Sequence, residues 1–303
     1  MKKNFIITVD TEGEGGWSYR RGDEVHTICA SYIPRFQELC EKYGFKPVYL
    51  VNYEMIMNDE CANYLADKQK VEKCEIGIHV HAWNTPPYYE LPQYECDQTF
   101  LIEYPKNIMR EKFRNTYNLI TEKMHRRPIS HRAGRWVMND DYFRMLEEFG
   151  IKIDCSYTPY INWNSTKGGS MSGPDYRRKP NKPHWIGDVL EVPMSIYIKR
   201  WNGFQKIKKI LKTFLYGVPV WLRPAAASTK EMKRIVFKNK YFERKDCVEF
   251  MIHSSELMPS GSPYFPDDKS IDDLYNSMDE LFRYAVSLGY EGCTLQEYYD
   301  KFK

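Results

Sequence analysis

The chain lacks most of the features that would settle its class at once. No apolar run approaches the roughly 18 residues needed to cross a bilayer, and mean hydropathy is −0.63, which excludes a helical membrane protein. The charge is even, with 44 Lys plus Arg against 41 Asp plus Glu and a net +3, so composition points to no nucleic-acid partner. Cysteine is present but unorganised. The eight thiols, at 29, 40, 61, 74, 96, 155, 247 and 293, form no CxxC pair and no dense frame, which argues against a cysteine zinc site and for reduced thiols in a cytoplasmic protein. The start, Met1-Lys2-Lys3-Asn4 and then Phe5 to Val9, is cut by Asp10 too early for a signal segment, so an unexported protein is expected. Internal repeats and low-complexity tracts are missing too.

Present instead is an alternation of strand-like and helical patterns over the whole 303 residues. Short β-branched or alternating runs lie at Phe5–Val9, Pro47–Val51, Glu75–His81, near Ile129, at Ile151–Cys155, Val189–Val192 and Val248–Ile252. Helical spacing covers 28–44, 59–69, 107–124, 139–149, 203–215, 229–239, 270–287 and 295–302. Such alternation predicts an α/β protein with a parallel sheet, in one domain spanning 1–303. Periodicity does not separate an open sheet from a closed barrel. Between Tyr157 and Gly187, about thirty residues rich in Asn, Ser, Gly, Pro, Tyr and Trp carry no periodicity; a loop that long is expected to serve substrate.

Chemistry-bearing residues fall at the ends of the strand-like runs. In TVDTEGEGG, Asp10 and Glu12 stand at i and i+2; in IGIHVHAW, His79 and His81 do the same. In extended chain that spacing places both members of a pair on one face. Two imidazoles and a carboxylate meeting at one point make a three-ligand set for zinc or a similar ion, with a position left open, and a spare carboxylate beside it suits a general base. Each motif alone also reads as ordinary structure: two partly buried histidines, or a turn with a capping acid. Further candidates follow other apolar runs: Arg132 in SHRAGRW, Asp154 in IDCSYTP and His253 in FMIHSSEL.

In this order the motifs resemble the five-motif series of the polysaccharide deacetylases, the superfamily of chitin and peptidoglycan deacetylases known as carbohydrate esterase family four. The matching positions span Asp10 to His253. The resemblance implies a distorted (β/α) barrel of about seven parallel strands, a divalent metal (zinc first, with cobalt, nickel or manganese as alternatives) and hydrolysis of an N-acetyl or other N-acyl group from an amino sugar. It implies Asp10 as general base, Glu12 and His79 as metal ligands, Arg132 as the holder of the base, His253 as donor of a proton to the leaving amine, and Asp154 as the acid that tunes His253. The backbone N–H near Arg135 falls at the family's oxyanion position.

Two departures from the common pattern stand out. The usual Asp-Asp pair is Asp10-Thr11-Glu12, and the usual second histidine position holds Trp83, so His81 is taken as the third ligand. Substrate contacts are expected from Trp83 and Tyr88 in the aromatic WNTPPYYE segment and from Arg135, Trp136 and Tyr157. From Glu191 to Glu231 no acidic residue intervenes, while basic residues are frequent and apolar ones recur at helical spacing. This stretch reads either as a barrel helix with a solvated basic face or, through 199–215, as a peripheral contact with an anionic membrane. An N-acylated saccharide, a nucleotide sugar or a lipid-linked saccharide would each suit as substrate, in surface-glycan or polysaccharide biosynthesis at the cytoplasmic face. A glycoside hydrolase on a similar barrel, and a non-catalytic carbohydrate-binding relative, are the competing readings.

Overall fold

The computed structural model describes residues 3–92, 94–199 and 217–302. The basic helix expected over 203–215 therefore lies outside the described residues. The strands are β1 (Lys3–Thr11), β2 (Val48–Val51), β3 (Glu75–Val80), β4 (Ser130–Ala133), β5 (Ile153–Asp154), β6 (His184–Ile186), β7 (Val189–Glu191), β8 (Ile196–Lys199), β9 (Val218–Trp221), β10 (Cys247–His253) and β11 (Tyr290–Gly292). The helices are α1 (Ile33–Lys42), α2 (Tyr53–Met57), α3 (Asp59–Lys70), α4 (Lys106–Met124), α5 (Asp140–Glu148), α6 (Thr229–Lys238), α7 (Asp268–Ser287) and α8 (Leu295–Phe302).

Local chemistry sets the helix starts. Asn52, Asn58 and Asn139 accept from backbone N–H groups in the first turns of α2, α3 and α5, and Ser228 with Glu231 makes a reciprocal cap on α6. Such caps satisfy donors that a helix cannot satisfy internally. The strands expected from periodicity all form. The short β6, β8, β9 and β11 carry too little pattern to be legible in sequence.

Seven strands pair in parallel in the order β10-β1-β2-β3-β4-β5-β7, with β6 antiparallel at the far edge and β11 beside the start of β1. The sheet curls into a distorted (β/α) barrel. Between β7 and β10 the antiparallel β8–β9 pair bridges the gap: Glu249 N–H donates to Ser195 Oγ (2.9 Å), Met251 N–H to the Leu222 carbonyl (3.2 Å), and Leu222 N–H to the Ser195 carbonyl (3.0 Å).

Alternation along each strand sorts the side chains. Ile6, Val48, Leu50, Ile153, Cys155, Leu190 and Val192 pack together inside the curl, and Leu295 and Tyr298 of α8 join them. Phe5, Ile7, Val9, Tyr49, Val51, Ile76 and Ile78 point outward to the helix layer and belong to the larger core. The interior is tight at Gly77, where an added Cβ would stand 2.4 Å from Ser130 Oγ and 2.6 Å from Leu50 Cδ2. A parallel arrangement brings every strand's C-terminal end to the same rim, and that rim carries the chemistry.

Candidate metal centre and active-site cleft

Asp10 and His253 are register partners on adjacent strands, as are His79 and Arg132. Glu12 and His81 follow their strand ends by one residue and keep the inward face. Glu12 Oε2 lies 3.1 Å from His81 Nε2 and 3.6 Å from His79 Nε2, and the two Nε2 atoms are 3.1 Å apart. A tetrahedral ion holding nitrogen and oxygen at about 2.0–2.1 Å separates its ligand atoms by about 3.3 Å, so this triangle fits a divalent metal. All three side chains are buried.

The hydrogens agree with that use. His79 Nδ1 lies 2.8 Å from the Arg132 carbonyl, which only accepts. The ring hydrogen is thereby fixed on Nδ1, and Nε2 turns its lone pair to the cluster, as ligating histidines require. Burial pushes the His81 ring down to about 3, against the pull of Glu12, so it too stays neutral. For His79, burial is outweighed by the Asp10 and Glu12 carboxylates, and its pKa rises. Burial alone would raise Glu12, yet His81, His253 and His79 bring it down to about 2. The loop after Glu12 is pinned by Ser254 Oγ on the Glu12 amide (2.9 Å) and by Glu54 Oε1 on Gly13 N–H (3.1 Å).

Beside the triangle, Arg132 is fully buried. Its Nη1 donates to Asp10 Oδ1 at 2.5 Å, Nη2 donates to Thr8 Oγ1 (2.9 Å) and to Glu249, and Nε donates to the Cys155 carbonyl (3.1 Å). One guanidinium thus faces two carboxylates. Burial works to raise both; Arg132 together with His79 and His253 holds Asp10 below the usual range, whereas Glu249 is pushed up to about 7. Asp10 is therefore the ionised partner, next to the Glu12–His79–His81 triangle.

His253 Nε2 lies 3.7 Å from Asp10 Oδ2 and 3.8 Å from Glu12 Oε1. Its Nδ1 is 2.9 Å from Arg223 Nη2 and 3.4 Å from Glu256 Oε2. Asp154, expected as its acidic partner, is elsewhere. It sits on the outward face of β5, where Oδ1 accepts from His131 Nδ1 (2.7 Å) and Ser156 Oγ (2.8 Å). Strand alternation decides this: Ile153 and Cys155 take the inward positions, and Asp154 between them cannot. Glu256 supplies the carboxylate next to His253.

Asp10, Glu12, His79, His81 and His253 open onto one cleft of about 270 Å³, lined also by Trp17, Trp83, Trp136, Trp163, Arg135, Arg223 and Tyr264. Trp83 stacks on His81 (centroids 4.2 Å, planes 21° apart). Arg135 and Trp136 both take left-handed backbone (φ 56° and 67°) in the turn after β4. Gly134 seats that turn, since a Cβ there would meet the Val80 carbonyl at 2.4 Å and His81 Cδ2 at 2.7 Å. The Arg135 side chain donates to the carbonyls of Gln98 and of Lys167 (2.8 Å). Trp163 and Thr166 bring the 157–187 segment into the cleft wall. Tyr157 is not in the wall; it is buried against Tyr176 (centroids 4.7 Å). Tyr88, 76% exposed, lines a neighbouring cavity of about 480 Å³ that shares Trp83 with the cleft. Sequence reasoning missed Trp17, Trp163, Arg223, Glu256 and Tyr264. Only Glu256 left a trace, as the i+3 acid after His253.

No family profile matches the sequence, and no curated protein matches it. Solved structures do match. A candidate polysaccharide deacetylase from Mycobacterium smegmatis superposes with a TM-score of 0.57 at 13% identity, over 99% of this chain and 91% of that one. The fold is that of the polysaccharide deacetylases. It is also found in a GH57 branching enzyme from Thermococcus kodakaraensis (TM-score 0.55, 10% identity, 100% of this chain and 72% of that one). A 4-alpha-glucanotransferase from Thermococcus litoralis matches as well (0.54, 13%, 99% and 38%). At these identities the likeness speaks for the fold, and the chemistry must be argued from the cleft.

Proposed function

We propose that the chain is a metal-dependent hydrolase that removes an N-acetyl or other N-acyl group from an amino sugar. The observation that carries this is the Glu12–His79–His81 triangle opening onto the same cleft as an ionised Asp10 and His253. A divalent ion held by the triangle, zinc being the best match to two imidazoles and a carboxylate, would polarise the amide carbonyl and lower the pKa of water. Asp10, kept ionised by Arg132, takes the proton from the attacking water. As the C–N bond breaks, the proton taken up by Asp10 passes to the departing nitrogen, which His253 Nε2, 3.7 Å from Asp10 Oδ2, orients across the cleft. The Arg135 N–H lies in the turn packed on His81 and is the candidate donor to the developing oxyanion. Trp17, Trp83, Trp136 and Trp163 offer flat apolar faces for a sugar ring.

Glycoside hydrolysis would use two carboxyl groups, one of them an acid with a raised pKa. The carboxyl groups lining the cleft, Asp10 and Glu12, are both held below the ordinary range and are tied to Arg132 and the histidines. The fold shared with the glucan enzymes is therefore not matched by an acid poised for their chemistry. A reducing compartment suits the eight free thiols, all but Cys96 buried. A biosynthetic saccharide such as a nucleotide sugar or lipid-linked sugar is the substrate class we favour.

Protein purified without chelators should contain one divalent ion per chain and release acetate from N-acetylated saccharides. Chelation should abolish release, and Asp10→Asn should lower it steeply. Metal bound at the triangle, with no acyl release from oligosaccharide, nucleotide-sugar or lipid-linked substrates, would overturn the proposal. Saccharide binding with neither metal nor turnover would identify a binding protein instead.

A further inference from the structure

We infer that Arg223 is a positioning residue that locks His253 as the Nε2–H tautomer, so that the ring meets the substrate as a fixed hydrogen-bond donor. The inference deepens the hydrolase reading and rests on it for its catalytic meaning, but not for its structural content.

The argument begins at Nδ1 of His253. Its nearest neighbour is Arg223 Nη2 at 2.9 Å, with Glu256 Oε2 farther off at 3.4 Å. A guanidinium has donors only, so a contact at 2.9 Å is favourable when Nδ1 presents a lone pair. The ring hydrogen must then sit on Nε2. The other side of the ring agrees, since Nε2 faces two carboxylate oxygens, Asp10 Oδ2 and Glu12 Oε1, and acceptors favour a hydrogen there.

Glu256 is not waiting for a ring proton. Its Oε1 accepts from Arg223 Nη2 at 2.6 Å and its Oε2 accepts from the His253 backbone N–H at 3.0 Å. Burial would raise this carboxyl; Arg223 and then His253 hold it down to about 2. Glu256 thus anchors the guanidinium, and the guanidinium orients the imidazole. Trp17 fixes the ring plane from the side, edge-on at 4.9 Å and 71°, while its Nε1 donates to Ser255 Oγ at 3.3 Å. Arg223 also lies over the Trp17 and Tyr264 rings, 5.8 and 6.0 Å from their centroids, so aromatic walls limit its movement. Taken away, it would leave the Glu256 carboxylate oxygen beside Nδ1 (3.4 Å) among the described residues, and an acceptor there draws the hydrogen from Nε2 to Nδ1.

The experiment is a long-range ¹H–¹⁵N spectrum of the histidine rings in the full chain, zinc-free and zinc-loaded. It compares wild type, Arg223→Met and Arg223→Lys. Wild-type His253 is expected to show a bare Nδ1 and a hydrogen-bearing Nε2. In Arg223→Met a hydrogen appears on Nδ1; in Arg223→Lys, which restores a donor-only cation, the wild-type pattern returns at least in part. Turnover in Arg223→Met should fall about 10–100-fold, the usual cost of losing an outer-shell partner, mostly in kcat. A hydrogen on Nδ1 in the wild type would overturn the inference, and that measurement needs no variant to fold. An unchanged pattern in a folded Arg223→Met would also overturn it. If the tautomer responds as expected but no acylated sugar is ever turned over, the hydrolase reading falls and the role of Arg223 in setting the tautomer stands.

Discussion

Arg132 and His131 are neighbours on β4, yet they head two buried polar networks with different fates. Arg132 points inward and joins Asp10, Thr8 and Glu249 at the rim of the cleft. His131 points outward, gives its Nδ1 hydrogen to Asp154, and receives the Tyr142 hydroxyl at Nε2 (3.0 Å) from α5. In the outer network the donors and acceptors of His131 and Tyr142 are matched, and the group is sealed under the helices. In the inner one, a single cation serves two carboxylates and one of them borders the cleft. Burial is complete in both, so burial does not distinguish function from support. The strand face decides which network reaches the cleft.

The largest effect expected from that difference is on turnover. Asp10→Asn should lower kcat by about 10²–10⁴, the range for losing a positioned base, while the fold and metal content persist. Asp154→Asn should change kcat less than about threefold, because its partners face the helices. Acetate release measured on both folded variants checks this. Equal losses in the two would show that the outer network reaches the chemistry and would break the distinction.

Stability tests the outer network directly. Asp154→Ala leaves the neutral His131 ring without an acceptor for its Nδ1 hydrogen in a site closed to water and should cost about 1–3 kcal/mol, the range for a buried donor left unpaired. Urea unfolding measures it. A cost under about 1 kcal/mol would mean that water or Glu191, buried next to Asp154 and pushed well up by burial and by that charge, replaces the lost partner.

Much of this was legible in the sequence and some of it could not be. Parallel strands with apolar cores announce themselves by β-branched runs, and residues that follow them fall on one rim by topology alone. Hence Asp10, Glu12, His79, His81, Arg132 and His253 could be named as a set, and the structure brings those six together. Asp154 met the same criterion and failed it. β5 is two residues long, too short for its pattern to reveal which face is inward. Tyr157 continues the same chain and turns onto Tyr176. Trp163, Arg223 and Tyr264 come from segments without periodicity, so their approach to the cleft depends on loop paths that no spacing rule predicts.

A pH-dependent effect sharpens the inner network. With a carboxyl raised from 4.5 to about 7 in the folded state, Glu249 favours folding when it is protonated. Its contribution is full below about pH 4.5 and is lost as pH rises through 7, a change of about 3 kcal/mol at 1.36 kcal/mol per unit. Glu249→Gln keeps the shape and an acceptor for Arg132 without the titration. Stability curves from pH 4.5 to 8 should therefore fall less steeply in the variant. Glu54, also raised to about 7 by burial, titrates in both proteins and cancels in the difference. Parallel curves would show that Arg132 neutralises Glu249 as fully as it does Asp10.

The smallest effect separates the cleft from its neighbour. Tyr88 is exposed and lines the outer cavity, so Tyr88→Ala should leave stability within about 0.5 kcal/mol and turnover of a single acylated amino sugar within about twofold. Trp83 borders both cavities and lies flat on His81. Trp83→Ala should raise KM and, by freeing the His81 ring, weaken metal binding about tenfold, within the range seen when a ligand loses its support. Kinetics and metal titration on both variants, repeated with a longer oligosaccharide, test this. A KM effect at Tyr88 that emerges only with the longer substrate would make the outer cavity a second sugar position. One already present with the single sugar would merge the two cavities into one site.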